Sequence, residues 1–251
     1  MKPETEHMEA VSTGAPDRIG LRETVGRLAE TSGGDLSAPT TSPVLAQRVV
    51  QQQCGSYASA LDAFLDAMPS ARGPRRVAAI FHAVRRMRYA SRGSRSPLTV
   101  LERREGSCTG KHLLLRDLLR RAGEAADVEI VEGDFARGLP VVDTMSEPLR
   151  RWVRDGGIRD YHNCIMLYTP TGILRLDATW HDALEPLGFP VNARWAGKGE
   201  TTIALKPDGF RIRVEDVIRE KERLVGALSE KERADRRAFL TLLTDWIDEN
   251  T

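Results

Sequence analysis

Gly106-Ser107-Cys108-Thr109-Gly110-Lys111-His112-Leu113-Leu114-Leu115-Arg116-Asp117-Leu118-Leu119-Arg120-Arg121-Ala122-Gly123 leads from a turn of small residues into an apolar helical stripe. Leu114, Leu115, Leu118 and Leu119 fall on one helix face, and Gly123 stands where a left-handed C-cap belongs. Cys108 is thereby placed in the first turn of a helix. There, unpaired backbone N–H groups and the positive end of the helix dipole face its sulfur. A free thiol, with a pKa of about 8.5, is mostly protonated at neutral pH and attacks slowly. A helix N-terminus favours its thiolate.

Working outward, Asp127–Glu132 alternates as a strand, and Ser146-Glu147-Pro148 starts a short helix ending at Gly156-Gly157. Cys164–Thr169 and Gly172–Asp177 read as two strands joined by the turn Thr169-Pro170-Thr171-Gly172. That hairpin brings the strand around His162 opposite residues 177–179. Cys108, His162 and Asp177 then form a candidate catalytic set of nucleophile, base and orienting carboxylate. Taken one at a time, a cysteine at a helix start is a small buried residue and an isolated His or Asp has a local role. The case rests on the three together.

The segment from Gly106 to Trp180 resembles the transglutaminase-like, papain-like superfamily of cysteine enzymes. The matching residues are Gly106-Ser107-Cys108, the Leu113–Gly123 helix, Tyr161-His162-Asn163 and Leu176-Asp177-Ala178-Thr179-Trp180. The resemblance spans about residues 75–180 and implies that nucleophile, base and orienter stand at 108, 162 and 177. It further implies an α+β fold: a helical N-terminal lobe, a nucleophile-bearing helix packed on a small antiparallel sheet, and C-terminal helices. The chain departs from the family pattern at Lys111-His112, at Glu124-Ala125-Ala126-Asp127 after the helix-ending glycine, and at Asn163-Cys164 after the histidine. These departures leave substrate class open.

Residues 1–43, rich in Gly, Ser, Thr and Pro, read as a flexible leader with one helical candidate at Arg18–Glu30. The catalytic domain is expected over 44–200, with a helical extension over 201–251 packed on it. Val44–Gln53 and Tyr57–Met68 show helical spacing, and Pro74 opens a helix running to about Tyr89. Thr201–Leu205 reads as a strand. Val214–Leu228 and Glu230–Ile247 read as amphipathic helices, a packing buttress rather than a docking surface.

At 251 residues with 41% apolar content and a net charge of +1, the chain can bury a real core and carries no global field toward nucleic acid or membrane. No apolar run approaches a membrane span and the N-terminus lacks a signal core, so a soluble, cytoplasmic protein is expected. Three widely spaced cysteines, Cys54, Cys108 and Cys164, argue for free thiols rather than a disulfide framework. Only six lysines beside many arginines suggest a high-GC bacterial coding sequence.

Gly106–Lys111 mimics a phosphate-binding loop, but has three residues between its glycines instead of four and His112 after the lysine. Cys108 and His112 lie one turn apart, with His162, Cys164, Asp177 and His181 as further zinc ligands, yet no Cys-x-x-Cys supports a metal. His112 is expected beside the cleft or solvated. No cofactor is called for.

Between Arg72 and Arg95 lie eight arginines and no acid. They suit an acidic partner such as a carrier protein, a phosphorylated substrate or RNA, or simply form a solvated face neutralised by acidic helices, the reading favoured here. Tyr89, Cys164 and Trp180 are candidate substrate contacts, while Trp152, Tyr161 and Trp195 frame the same stretch. The leading expectation is an enzyme forming a thioester at Cys108 from a peptide, amide or thioester donor, free or carrier-bound, and passing the acyl group to water or an amine. The alternative is a non-catalytic binding module retaining the fold.

Overall fold

In the computed structural model, backbone is described from Pro43 and side chains from Gly55, both to Thr251. The expected leader, its helix at Arg18–Glu30 and the Cys54 side chain lie outside the described residues. Val44–Thr251 form one compact unit that mixes helix and sheet.

Helix α1, Pro43–Asp66, is continuous where the sequence suggested two helices. Gly55, between the two apolar stripes, costs about 1 kcal/mol against alanine but does not break a helix that packs through Leu61, Tyr57, Phe64 and Leu65. Helix α2, Pro74–Arg85, begins on its proline and stops short of Tyr89. The stop has two causes. The next residues form a two-residue strand β1, Arg88–Tyr89, pairing parallel with β2, Glu105–Gly106. The carbonyls of Arg85 and Met87 at the helix end are also taken by the Lys111 ammonium, at 3.0 and 2.7 Å. Between β1 and β2 lies α3, Pro97–Arg103, capped by Ser96.

Helix α4, Cys108–Arg121, carries the expected stripe: Leu114, Leu115, Leu118 and Leu119 are fully buried. Each contributes roughly 2 kcal/mol of burial. Gly123 follows with φ of 93°, a left-handed conformation that suits a glycine. The stripe packs with Ile80, Phe81 and Val84 of α2 and with Val128, Ile165, Leu167 and Leu176 of the sheet.

The sheet contains β3, Ala125–Asp134; β4, Arg159–Thr169; β5, Gly172–Leu176; and β6, Lys206–Val214, in the order β5-β4-β3-β6, all neighbours antiparallel. Helix α5, Glu147–Asp155, lies between β3 and β4 in sequence and ends at Gly156, as its glycine pair suggested. Thr169 pairs with Gly172 across a two-residue turn. The strand read at Thr201–Leu205 is not one: these residues run irregularly beside Asp177, and β6 begins at Lys206. Pro207 and Gly209 disguised this edge strand, and edges are where such residues are tolerated. Helices α6, Val217–Ala227, and α7, Glu230–Asn250, complete the chain. Phe239, Leu243, Trp246 and Ile247 of α7 form a second core with Tyr89, Phe135, Cys164 and Trp180.

Candidate active site

Ser107 caps α4, its hydroxyl accepting from Gly110 N–H at 3.3 Å, which sets Cys108 as the first helical residue. Gly110 is required by close approach. A Cβ there would stand 2.3 Å from the Ser94 carbonyl oxygen and 2.8 Å from a Val100 methyl. The first-turn amides of Cys108 and Thr109 have no intrahelical acceptor by position.

His162 of β4 and Asp177, one residue past β5, meet behind the thiol. Nε2 of His162 lies 2.7 Å from Oδ2 of Asp177, with both residues 2% exposed. Extending the β4–β5 register places His162 opposite Thr179, whose hydroxyl is 3.4 Å from Nε2. Asp177 is held from several sides. Oδ1 accepts from Thr179 N–H at 2.9 Å, and Oδ2 accepts from Ala204 N–H at 2.7 Å. Thr201 Oγ1 accepts from Asp177 N–H at 2.7 Å. Asn192 ties the two segments together, donating to the carbonyls of Asp177 and Thr202. The irregular stretch 201–204 thus clamps the carboxylate.

Burial opposes charge on all three groups, and their mutual charges overcome it. Burial pushes the Cys108 thiol up, but the Lys221 ammonium and the His162 imidazole bring it down to about 5. Burial disfavours the His162 cation, yet Asp177 and Cys108 raise it to about 10. Asp177, despite burial, is held well below the usual carboxylate range chiefly by the His162 charge. The favoured state is a thiolate facing an imidazolium backed by a carboxylate. Because Asp177 takes Nε2, Nδ1 is the nitrogen left to exchange a proton with sulfur.

Lys111 and His112, the departures from the family pattern, are both fully buried. Lys111 Nζ donates to the carbonyls of Arg85, Met87 and Thr179 at 3.0, 2.7 and 2.7 Å. Burial lowers its pKa to about 7, but three acceptors use all three ammonium protons, so the charged form fits the site. His112 is not solvated. Its Nδ1 donates to the Cys108 carbonyl at 2.8 Å, and its Nε2 accepts from Ala178 N–H at 3.0 Å. These contacts, with Nε2 also 3.5 Å from Asp177 Oδ1, couple the start of α4 to the Asp177 loop. The two residues brace the site rather than face it.

A cavity of about 40 Å³ opens at Cys108, lined among others by Tyr89, Phe135, Asp160, Lys221, Arg236 and Leu240. Cys108 is partly exposed there. Of the three expected substrate contacts, Tyr89 reaches this cavity. Cys164 and Trp180 do not: Cys164 is fully buried with Sγ 3.6 Å from Glu129, and Trp180 packs against Tyr89 and Phe189 behind the wall. Burial raises the Cys164 thiol well above its ordinary value.

Lys221 and Arg236 were missed by a reading that treated α6 and α7 as a buttress. The signal was present. Lys221 interrupts the stripe Val217, Leu224, Leu228, and Arg236 stands one turn before Phe239 and Leu240. A cation inside an apolar stripe marks a buried polar partner.

Five of the eight arginines of 72–95 meet acids, Arg86 joining Arg85 on Asp182 at 3.4 Å, and of the five only Arg85 is buried. Arg85, buried, meets Asp182 at 2.6 Å; Arg88 meets Glu105 and Asp248; Arg92 meets Asp245; and Arg95 meets Glu222 at 2.9 Å. The pairs to Asp248, Asp245 and Glu222 tie residues 88–95 beside the cavity to α7 and α6. Arg85 corrects the expected solvated face. A larger cavity, about 550 Å³, lies between α1 and α2 around Phe64, Met68 and Arg104, and none of the candidate catalytic residues lines it. Among the described residues no group of three or more His, Cys, Asp or Glu is arranged to hold a metal ion. Burial pushes His181 down to about 4, and its Nδ1 accepts from Tyr89 N–H at 3.3 Å. Among the described residues no helix is long and apolar enough to cross a membrane.

No family model matches the chain, and no curated protein matches it. Among solved structures, it is similar to a crystal structure described as a "putative cysteine protease" from Cytophaga hutchinsonii. That likeness has 16% identity and a TM-score of 0.35, covering 63% of this chain and 49% of the other. The chain therefore spans about half the length of that protein, and a likeness this distant carries no functional argument.

Proposed function

We propose that this chain is a cysteine-dependent acyl-transfer enzyme of transglutaminase-like, papain-like type, with Cys108 as nucleophile, His162 as general acid and base, and Asp177 as orienter. The observation that carries the reading is the 2.7 Å bond from His162 Nε2 to Asp177, made beside a thiol at a helix N-terminus.

The Cys108 thiolate attacks an amide or thioester carbonyl. A C–S bond forms and the carbonyl π pair moves to oxygen, toward the first-turn amides of Cys108 and Thr109. As the adduct collapses, the bond to the leaving group breaks and His162 gives its proton to the departing amine or thiol. Water or an acceptor amine then attacks the thioester carbon, loses a proton to His162, and expels the thiolate. The same residues serve hydrolysis and transfer to an amine. The narrow cavity favours a slender donor chain at the sulfur.

The test is acylation with short-chain p-nitrophenyl esters. The expected result is a burst of nitrophenolate equal to the enzyme, with an acyl mass on the Cys108 peptide that neutral hydroxylamine removes. Cys108→Ala abolishes the burst, and His162→Ala slows both steps. Labelling spread equally over Cys108 and Cys164, or absent from both, would overturn the reading.

A further inference from the structure

The charged groups around Cys108 do not balance within the triad alone. Lys221 of α6 is 5% exposed and its Nζ lies 3.5 Å from Cys108 Sγ. The other charged or titratable groups around the sulfur are Asp160 and His162 from β4, Asp177 after β5, Tyr89 from β1, Arg95 before α3, Arg236 from α7 and, behind the site, Lys111 of α4. Several of these are already paired. Asp160 Oδ1 accepts from Arg236 Nε at 2.7 Å and from Tyr161 N–H at 2.7 Å. Asp177 is taken by His162, and Arg95 by Glu222. That leaves the Lys221 ammonium with the sulfur as its hydrogen-bond acceptor.

A buried ammonium facing a neutral thiol would have only Asp160 to offset it, a carboxylate already bonded to Arg236, and under-compensated buried charge is costly. Facing a thiolate, the same ammonium is neutralised. Asp160 and Arg236 pair with one another, and Lys221 gives the thiolate a second cation beside His162, while the Lys111 ammonium acts on Cys108 and Asp177 from behind, its protons spent on three carbonyls.

We propose that Lys221 is a fourth catalytic residue, a second counterion that holds Cys108 as a thiolate independently of His162. This inference rests on the acyl-transfer reading and adds to it a role for the C-terminal helices, since α6 delivers the charge. Lys221 touches the reacting atom directly. When attack moves the negative charge from sulfur to the carbonyl oxygen, two bonds away, the flexible four-carbon stem allows the ammonium to follow it. In this arrangement His162 is freed to act as the proton carrier, because the thiolate no longer depends on it alone.

The plainer role for Lys221 is packing: its stem lies in the stripe of Val217 and Leu224, with the ammonium drawn to Asp160. The two roles part in the pH dependence of Cys108 alkylation by iodoacetamide, read by peptide mass spectrometry. Wild type, Lys221→Met, Lys221→Arg, His162→Ala and the double variant Lys221→Met/His162→Ala are compared, with thermal melts as folding controls. Lys221→Met preserves the packing and should raise the inflection by one unit or more, about a tenfold loss of thiolate below it. Lys221→Arg should restore the wild-type profile. His162→Ala alone should leave the inflection below that of an ordinary thiol, and only the double variant should reach it. A Lys221→Met profile like wild type, or His162→Ala alone giving an ordinary thiol, would overturn the proposal. If Lys221→Met fails to fold, Lys221→Gln is read by the same criterion. Should wild-type Cys108 itself titrate near 8.5, the acyl-transfer reading falls first; a low wild-type inflection unmoved in Lys221→Met removes only the role of Lys221.

Discussion

Asp177→Asn is the sharpest perturbation of the site, because it removes one charge and nearly no volume. In the wild type, Oδ2 receives His162 Nε2 and Ala204 N–H while Oδ1 receives Thr179 N–H. An amide has one acceptor oxygen, so the better rotamer keeps it at the Oδ2 position and turns its NH2 toward the Thr179 amide. At an effective dielectric of about 20, a charge pair 4 Å apart is worth about 4 kcal/mol. A neutral hydrogen bond to the amide oxygen recovers about 1 kcal/mol. The net loss is about 3 kcal/mol, or about two pKa units. His162 should therefore titrate two units below its wild-type value of about 10. The assay is an NMR titration of the imidazole C2 proton in 13C-histidine protein, with His162→Gln identifying the resonance among five histidines. Stability should respond with the same sign. The raised His162 pKa stabilises the fold fully below its unfolded value of about 6.5, and that contribution disappears as pH rises through the folded value. The lowered Asp177 pKa stabilises above about 3.9 and is lost as pH falls. The variant should accordingly lose most in urea denaturation near pH 6, and progressively less toward pH 10. A wild-type His162 titrating near 6.5, or an unchanged value in Asp177→Asn, would refute the electrostatic account.

Three further outcomes are expected. Alkylation of Cys108 in the wild type should rise through an inflection near 5, level off, and change again near 10 as His162 loses its proton, while Cys164 stays unmodified in the folded protein; peptide mapping after brief iodoacetamide exposure reads both. Lys111→Met strands three buried carbonyls, those of Arg85, Met87 and Thr179. It should cost about 3 kcal/mol in urea denaturation, within the range for breaking a buried charged network, and a loss under 1 kcal/mol would reject the brace. Gly110→Ala pushes a methyl to within 2.3 Å of a backbone oxygen; about 2 kcal/mol of overpacking should lower the melting temperature by several degrees, with no change expected if the Ser94 loop gives way freely.

What could be read from the residue order divides along a physical line. Helix α4, its glycine cap and the β4–β5 hairpin announce themselves because periodicity, turn chemistry and caps act over a few residues; these local signals set Cys108 at a helix start and His162 beside Asp177, while the meeting of Cys108 with His162 depends on packing of α4 against the sheet. The end of α2 is not legible locally because its cause is remote: Lys111, more than twenty residues on, takes the carbonyls that would continue the helix. Likewise Thr201–Leu205 looks like a strand by composition, but beyond one β5 carbonyl, that of Arg175, its polar groups are spent on Asp177 rather than on a continuing ladder. The same distinction explains the two helices at the chain's end. Apolar spacing shows that α6 and α7 pack but not what else they do; Lys221 and Arg236 lie inside those stripes, where an unpaired charge would be destabilising. A charge in a buried stripe requires a partner of opposite sign, and for Lys221 the structure supplies the sulfur of Cys108 at 3.5 Å. The segment that looked most like scaffolding is the one that completes the electrostatics of the thiol, so shortening the chain before α6 should remove the second cation along with the support.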